Sequence, residues 1–391
     1  MSLTLAAQII FFVSAALVFY VYFGYPILVF AIARLRPRPV TRSGIEPTVS
    51  IIIAAYNEER DIRLKIENTF ELEYPREKLE IIVVSDGSTD STDSIVREFA
   101  DRGVKLVRQD PRGGKTAAQN LAVEHSSGEI ILFSDATSIY RPDVINEIVA
   151  NFADESVGCV AGKLIYVDPA ESTVGSAARS YWSYETLLKQ SESAACSLIG
   201  VSGCLYAVRR ANYLPMYPEA CSDFLIATLV YKQGLRTIYE PGAVCTEETN
   251  RQSNKEMRMR VRVISQTFTD LWRNREMLNP FKIGFYAIQL ISHKVLRYGV
   301  PVFLAASVIS AAMLAPGAII FLLVFLSQMI FLAAAIAAWV LERMGMKIGP
   351  LAIPLYFLLT NIASLAGFLQ FLRGERYAAW EPIRDTDTAK V

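Results

Sequence analysis

The chain has few of the residues that would assign it to a disulfide-rich, zinc-binding or nucleic-acid-binding class. Its 391 residues include five cysteines and two histidines, and no Cys-x-x-Cys spacing occurs. An odd number of scattered cysteines argues against a disulfide framework or a zinc site, and it predicts reduced thiols in a cytosolic domain. The 39 basic and 39 acidic residues balance, so the chain lacks the net positive charge that would indicate nucleic acid as a partner. No internal repeat or low-complexity segment is visible.

The N-terminal segment lacks the basic start of a secretory signal peptide. Residues 5–35 are apolar except for Gln8 and carry no early Lys or Arg. They therefore predict an uncleaved membrane span rather than a cleaved leader. Four arginines follow between residues 34 and 42, and the positive-inside rule then places the N-terminus outside and the middle of the chain in the cytoplasm. We interpret residues 1–46 as a transmembrane helix with a basic linker.

A second apolar region occupies residues 298–372. It contains three segments that are each long enough to cross about 30 Å of hydrocarbon at roughly 1.5 Å per residue; these are residues 298–316, 317–341 and 351–372. Three crossings would carry the C-terminus outside, yet basic residues lie both in the last loop, at Arg343, and in the polar tail of residues 373–391, at Arg373 and Arg376. Either one basic cluster breaks the positive-inside rule or one segment does not fully cross.

The middle of the chain, residues 47–273, alternates short apolar runs with helix-like segments. Strands are predicted at 49–54, 79–84, 104–107 and 130–133, and helices at 58–72, 91–100, 115–125 and 224–231. This rhythm predicts an α/β fold with right-handed crossovers and one mostly parallel sheet. Residues 274–297, which alternate apolar and polar side chains, predict an amphipathic segment that lies in the membrane interface.

Carboxylates stand where these strands end. Asp86 and Asp135 each close an apolar run, and Asp223 opens a third motif. The carboxyl ends of parallel strands are where an open α/β sheet gathers its ligand. A glycine pair that opens a helix beside Lys115 suits a phosphate. Each motif alone also fits a helix cap or a turn, so the prediction depends on their order and spacing together.

That combination resembles the inverting glycosyltransferase family 2, which includes the bacterial cellulose, hyaluronan and poly-N-acetylglucosamine synthases. The residues that carry the likeness are 49–58 (VSIIIAAYNE), 84–90 (VSDGSTD), Gly114-Lys115, Asn120, 133–135 (FSD), 200–203 (GVSG), Ser222-Asp223-Phe224 and 292–297 (SHKVLR). The resemblance implies a glycosyltransferase A-type domain that binds a nucleotide sugar, with transmembrane helices at both ends.

The resemblance also implies roles for individual residues. Tyr56, Glu58 and Asp86 would hold the uridine of a UDP-sugar, and Lys115 would lie near the donor. Asp135 would meet the diphosphate and a Mg²⁺ or Mn²⁺ ion. The catalytic base would be Asp223.

Two departures from the family pattern bear on these roles. The family usually carries Asp-x-Asp, whereas Asp135 is followed by Ala136 and Thr137; Mg²⁺ often takes only one or two carboxylates plus phosphates. Polymerising members usually carry Gln-x-x-Arg-Trp, and Val263 stands here where the tryptophan would be. The arginines before it could clamp the diphosphate or form a membrane-facing surface; they are Arg258, Arg260 and Arg262.

Two segments are candidates for binding the acceptor. Tyr181 and Trp182 belong to an aromatic run that suits either a sugar platform or a helix at the membrane interface. A glycine-rich segment either permits close approach of an acceptor to the backbone or only forms a tight turn. Its candidate residues are Gly200, Ser202 and Gly203.

The sequence thus predicts a multi-pass enzyme of the inner (plasma) membrane with a cytoplasmic catalytic domain. It would move a sugar from a UDP-sugar to a hydroxyl acceptor, for which a growing exopolysaccharide is favoured. One alternative is a transferase that adds a single sugar to a lipid. An alternative of another class is an inactive nucleotide-binding scaffold. Membrane lipids are expected partners, and an export or accessory subunit stays open as a further one.

Overall fold

An eight-stranded mixed sheet forms the centre of the chain. The computed structural model describes residues 2–167, 173–248, 253–346 and 348–378, within which the side chains of residues 173–183, 248 and 253–256 are not described. The strands are β1 (Val49–Ala55), β2 (Leu79–Asp86), β3 (Val104–Gln109), β4 (Ile130–Asp135), β5 (Ile139–Tyr140), β6 (Val157–Val167), β7 (Leu205–Arg209) and β8 (Arg236–Glu248). Their spatial order is β3-β2-β1-β4-β7-β6-β8-β5.

The first four strands of this sheet are parallel, as predicted. β1 pairs in parallel with β2 and with β4, and β3 pairs in parallel with β2. β7 then runs antiparallel to β4 and to β6, while β8 is parallel to β6 and antiparallel to β5. The prediction of an α/β fold with a mostly parallel sheet is confirmed, with one reversed strand in its middle.

The apolar runs in the sequence reflect a sheet that is covered on both faces. In β1, Ile51 and Ile53 belong to one hydrophobic core, whereas Ile52 belongs to the core on the opposite face. All three are fully buried. Because successive side chains of a strand point to opposite faces, a strand buried on both sides reads as a continuous apolar run. Each such side chain stabilises the fold by about 1.5–3 kcal/mol.

The helices that precede or surround the sheet agree with the predicted segments, with shifted ends. They are α1 (Leu3–Phe19), α2 (Tyr25–Leu35), α3 (Ile62–Phe70), α4 (Thr92–Arg97), α5 (Lys115–Glu124), α6 (Val144–Val149), α7 (Thr173–Ala195), α8 (Ser222–Lys232) and α9 (Ser253–Arg273). The predicted helix at 58–72 begins only at Ile62. The preceding turn is held in place by side chains of the β2–α4 loop, since Glu58 N donates to Thr92 Oγ1 over 2.7 Å and Asn57 N donates to Ser88 Oγ over 3.0 Å.

Within the described residues, four helical stretches are long and apolar enough to cross a membrane: Leu3–Leu35, Phe285–Leu314, Ile319–Arg343 and Gly349–Leu372. The last part of the chain contains α10 (Pro280–Ile283), α11 (Phe285–Leu290), α12 (Arg297–Leu314), α13 (Ile319–Arg343) and α14 (Ala352–Leu372). The segment expected to lie in the interface, 274–297, is not one uniform helix. Its second half continues into α12, and there Tyr286 and Leu290 are buried against the α/β domain rather than exposed to lipid.

Candidate functional site

One large cavity lies at the carboxyl ends of the strands, between the α/β domain and the helices that are apolar enough to span a membrane. Its volume is about 970 Å³. Many charged and hydrogen-bonding side chains line it; among them are Lys115, Asp135, Glu185, Lys189, Ser202, Asp223, Glu247, Arg260, Arg262, His293, Lys294 and Arg297. The cavity also reaches residues of α14, including Tyr356 and Thr360.

Asp135 and Lys115 form an ion pair at the floor of the cavity. Asp135 is the last residue of β4 and Lys115 is the first residue of α5. Burial opposes the charged form of Lys115, but the neighbouring Asp135 carboxylate outweighs it and keeps the pKa of Lys115 above its ordinary value. Lys115 Nζ also lies 3.4 Å from the carbonyl oxygen of Gly203. The sequence-predicted donor and metal residues are therefore in direct contact.

Gly203 lies between Lys115 and Asp223. A Cβ atom at this position would be 3.3 Å from Lys115 Nζ and 3.5 Å from Asp223 Oδ2. Two charged side chains from distant parts of the sequence thus converge where the glycine leaves room. Ser202 and Gly203 both line the cavity, whereas Gly200 is not among the described lining residues. A Cβ atom added to Gly200 would be 3.6 Å from the carbonyl oxygen of Asp223.

Asp223 occupies the first turn of α8, where the positive end of the helix dipole favours a carboxylate. The Cys221 thiol donates to Asp223 Oδ1 over 2.9 Å. Behind this turn, the backbone N–H of Cys221 donates to Asp270 Oδ2 over 3.1 Å, and the Tyr217 hydroxyl donates to Asp270 Oδ1. Burial raises the pKa of Asp270 to about 8. Asp270 thus fastens the loop that presents Asp223.

Glu247 is a site residue that the sequence reasoning missed. It lies near the end of β8, lines the cavity and leaves its Oε1 atom buried with no hydrogen-bond partner in the described part of the chain. Burial, followed by repulsion from Asp135, raises the pKa of Glu247 to about 7. The sequence signal was present, because Glu247 follows an apolar strand-like run just as Asp86 and Asp135 do.

The three arginines of α9 do not lie in one place. Arg262 lines the cavity, and burial lowers its pKa although Cys221, Asp223 and Asp135 raise it. Arg260 also lines the cavity, donates to the Tyr356 hydroxyl and holds its guanidinium 5.0 Å from that ring. Arg258 is exposed and is not among the described residues that line the cavity.

The residues predicted to hold a nucleoside lie at the ends of β1 and β2, outside the described lining of the cavity. Asp86 accepts hydrogen bonds from the backbone N–H groups of Gly113 at 2.8 Å and Gly114 at 2.9 Å. Arg112 from the same loop holds its guanidinium 3.4 Å from the centre of the Tyr56 ring. The structure therefore brings Asp86 and Tyr56 to one loop.

The predicted aromatic platform falls on α7. The side chains of Tyr181 and Trp182 lie outside the described residues. One turn further along this helix, Glu185 and Lys189 line the cavity, and Lys189 Nζ donates to Ser202 Oγ over 3.1 Å. The described part of α7 thus contributes charged groups to the cavity wall.

A buried polar cluster joins α7 to the membrane helices beside the cavity. His293 Nδ1 lies 2.7 Å from Glu192 Oε1, to which the Tyr25 hydroxyl also donates. His293 Nε2 lies 3.2 Å from Glu185 Oε1 and 2.8 Å from Arg297 Nη1. We call these five residues the junction cluster: Tyr25, Glu185, Glu192, His293 and Arg297. His293 and Arg297 belong to the sequence motif that carries the family resemblance, but the sequence did not indicate their contacts with Tyr25, Glu185 and Glu192.

Comparisons with known proteins match the central domain. Residues 50–213 match the family model described as Glycosyl transferase family 2. A probable glycosyltransferase, YdaM, of Bacillus subtilis is 36% identical over 132 residues, which are 32% of this chain and 31% of YdaM. The beta-monoglucosyldiacylglycerol synthase of Nostoc sp. is 37% identical over 131 residues, which are 32% of this chain and 28% of the synthase. The chain thus spans about a third of the length of these two curated relatives.

A solved structure resembles nearly the whole chain. The mannosyltransferase PcManGT from Pyrobaculum calidifontis, determined in complex with GDP-Man and Mn²⁺, superposes with a TM-score of 0.70 and 24% sequence identity. The match covers 94% of this chain and 99% of PcManGT, so the two share a fold. Residues 50–213 thus match the glycosyl transferase family 2 model, and the chain has the GT-A fold together with helices apolar enough to span a membrane.

Proposed function

We propose that this protein is an inverting glycosyltransferase of the plasma membrane, which transfers a sugar from a UDP-sugar to a hydroxyl acceptor. One observation carries the proposal. A single cavity brings Asp223, Asp135 and Arg262 together and continues to the membrane helices. A carboxylate at a helix N-terminus, a cation-lined wall and a membrane-facing exit are the three features that such a transfer needs.

Asp223 is the proposed general base. In a one-step inversion, the acceptor oxygen bonds to the anomeric carbon while the bond from that carbon to the diphosphate oxygen breaks. The acceptor proton passes to Asp223, and the electron pair leaves with the diphosphate. Asp135 is paired with Lys115, whereas Asp223 faces the cavity with only a weak thiol donor on Oδ1. This difference supports Asp223 over Asp135 as the base.

Lys115 and Arg262 are the proposed contacts of the leaving diphosphate. Both line the cavity within electrostatic reach of Asp135 and Asp223. A guanidinium fork suits phosphate oxygens in a bidentate geometry, and a lysine supplies a point charge. Arg260 already donates to Tyr356 and would contribute mainly by bounding this space.

The site has the ligand chemistry for a divalent cation. Thr137 stands where the family motif has its second aspartate, but burial and then repulsion from the nearby Asp135 raise the pKa of Glu247, whose buried Oε1 has no hydrogen-bond partner among the described residues. Asp135 and Glu247 would hold Mg²⁺ or Mn²⁺, which would neutralise charge on the leaving diphosphate. The described residues contain no group of three or more metal-binding side chains, so donor phosphates would complete the coordination.

The nucleoside is proposed to lie against Tyr56, Glu58 and Asp86. These residues stand at or just after the ends of β1, which pairs with β4, and of β2, the next strand in the sheet. PcManGT was solved with GDP-Man, so a guanine nucleotide is the competing donor. Calorimetric titration with UDP and with GDP separates the two, and tighter binding of GDP would reject the uridine assignment.

The sequence favours a growing exopolysaccharide as the acceptor, but one observation favours the alternative of a single addition to a lipid. The cavity wall includes apolar and aromatic residues of a membrane helix, among them Ile353, Tyr356 and Phe357. The Nostoc relative is by its name a glycolipid synthase. A lipid acceptor would place its chain against that wall and its hydroxyl near Asp223.

One experiment tests the proposal as a whole. The purified full-length protein is incubated with UDP-glucose, UDP-N-acetylglucosamine, UDP-galactose or GDP-mannose, with Mn²⁺ and a total lipid extract, and products are weighed by mass spectrometry. We expect release of the nucleoside diphosphate together with a glycosylated product. A product one sugar heavier than a lipid favours the glycolipid candidate, and a ladder favours the polymer. No turnover of any donor would indicate the inactive scaffold.

A further inference from the structure

Helix α14 is long and apolar enough to cross a bilayer, yet both of its ends lie beside the α/β domain. Near its start, the Tyr356 hydroxyl accepts a hydrogen bond from Arg260. Near its end, a Cβ on Gly367 would be 2.8 Å from the carbonyl oxygen of Val261, and the Phe371 ring is centred 5.7 Å from the Phe268 ring. All three partners belong to α9, so α14 runs alongside that helix.

The other membrane helices provide markers of depth. α1, α12 and α13 meet at their far ends in one hydrophobic cluster, which among the described residues contains no member of α14; it comprises Ala7, Phe11, Ala311, Leu314, Phe321, Val324 and Phe325. The start of α14 instead packs at the other end of α13, where Ala352 and Leu355 meet Ala338. Its end lies near the start of α12, because Phe268 contacts both Phe368 and Tyr298.

These contacts place both ends of α14 at the same level. A helix of 21 residues is about 31 Å long, so a crossing α14 would end on the far side, beside Phe11 or Leu314. It ends instead beside the first residues of α12. From there the chain stays on the domain side, since Gln266 of α9 donates to the carbonyl oxygen of Tyr377 over 2.8 Å and Ala378 lines the cavity.

The side chains of α14 divide between two faces. The exposed residues that recur every three or four positions along its second half are all apolar: Ile362, Leu365, Leu369 and Leu372. On the other face, Asn361 and Ser364 are buried and line the cavity. The exposed side of this half of α14 thus presents apolar side chains alone, while its buried side packs on α9 and borders the cavity.

We infer that α14 does not cross the bilayer but lies in the leaflet on the side of the α/β domain, with its apolar face against the acyl chains of that leaflet. Only α1, α12 and α13 then cross. The C-terminus shares a side with the α/β domain, and α14 becomes the wall between the cavity and the lipid. The partner of the exposed face is therefore the bilayer itself.

The distribution of basic residues supports this arrangement independently. With four crossings, Arg343 and the pair Arg373 and Arg376 would lie on opposite sides of the membrane. With three, both groups lie on the same side as Arg34 and Arg36, which the positive-inside rule requires. The conflict visible in the sequence is removed because one of the four apolar segments does not cross.

Cysteine labelling tests the side of the C-terminus without reference to activity. The five native cysteines are buried, so a membrane-impermeant maleimide will report single added cysteines in the full chain. Glu375→Cys is compared with Ser43→Cys in the basic linker and Ala318→Cys in the turn between α12 and α13. We expect Glu375→Cys to be labelled, like Ser43→Cys, only in inside-out vesicles. Labelling from the same side as Ala318→Cys would overturn the inference.

A second measurement reads the depth of the helix. Nitroxide labels are placed at Ile353→Cys, Ile362→Cys and Leu372→Cys in reconstituted protein, and their relative accessibility to oxygen and to a water-soluble nickel complex is compared. A helix in the leaflet gives similar shallow depths at all three positions. A crossing helix places Ile362 near the bilayer centre and the other two near opposite surfaces, and that result would refute the proposal even if cysteine labelling were incomplete.

Discussion

The junction cluster, of which Glu185, His293 and Arg297 also line the cavity, and the part of the cavity wall around Asp223 and Glu247 both contain buried or half-buried charged side chains, but they use them differently. In the junction cluster, Glu192 is only 1% exposed and His293 5% exposed, and the carboxylates and cations bind one another. In the cavity wall, Glu247 Oε1 has no partner in the described chain, and Asp223 Oδ1 receives only a thiol.

This difference separates groups that hold the molecule together from groups that are available for chemistry. Charges that satisfy each other fix the position of α7 against α2 and α12, but they have little capacity left for a ligand. Charges that face an open volume keep that capacity, which is where substrate binding is expected. The comparison predicts that substituting Glu192, a cluster residue outside the described cavity lining, lowers stability, whereas substituting Asp223 or Glu247 lowers activity.

The largest effect is expected in the junction cluster. Glu192→Ala leaves Tyr25 and His293 buried without their common partner, and breaking a buried ion pair typically costs about 3–5 kcal/mol. We expect a markedly lower melting temperature in detergent, measured by fluorescence. Glu124→Ala, at an exposed position on α5, is the control and should change stability by no more than about 0.5 kcal/mol. An unchanged melting temperature in Glu192→Ala would show that the cluster does not hold the helices.

Asp223→Asn should have the largest effect on turnover in the cavity wall. Asparagine keeps the size of the side chain in the first turn of α8 but cannot accept the acceptor proton. We expect turnover to fall by roughly 10²-fold or more while the melting temperature and donor affinity stay close to those of the wild type. Asp101→Asn, at an exposed site away from the cavity, serves as the control. A folded Asp223→Asn enzyme with normal turnover would remove Asp223 from the mechanism.

The sequence was most informative where local pattern and tertiary position coincide. The runs that end in Asp86 and Asp135 predicted both a buried parallel strand and a polar group at its carboxyl end. Such a pattern depends only on neighbours in the chain. The predicted helix over 115–125 agrees with α5 for the same reason.

The sequence could not reveal contacts made by residues far apart in the chain. Glu247 comes next to Asp135 only because β8 returns beside β5, over a hundred positions later in the chain. The basic residues left open that one apolar segment does not fully cross, but not which one, because the composition of α14 matches that of a crossing helix; its contacts with α9 carry the inference. The start of α3 was misplaced since side chains of another loop hold the turn before it.

Metal binding tests the role of Glu247, whose Oε1 has no hydrogen-bond partner in the described part of the chain. Glu247→Gln keeps the size of the side chain but removes a charged oxygen ligand, so we expect Mn²⁺ affinity in the presence of UDP to fall about 10-fold or more. The free Mn²⁺ signal in electron paramagnetic resonance gives this affinity without any turnover. Glu155→Gln, at an exposed site, is the matched control. Equal affinities in the two variants would exclude Glu247 as a ligand.

The smallest expected effect uses two arginines of the same helix as a matched pair. Arg262 lines the cavity, and Arg258, four residues before it, is exposed outside the cavity. Lysine keeps the charge at both positions but loses the guanidinium fork, and one charge-assisted hydrogen bond is worth about 1.5–3 kcal/mol. Since about 1.4 kcal/mol corresponds to tenfold in affinity, Arg262→Lys should weaken UDP binding by about tenfold, whereas Arg258→Lys should leave it unchanged. If both variants bind UDP like the wild type, the arginines of α9 contact the membrane or the protein rather than the donor. If both variants weaken UDP binding equally, the guanidinium groups along the whole helix contribute to it, and the distinction between lining and exposed residues does not hold for α9.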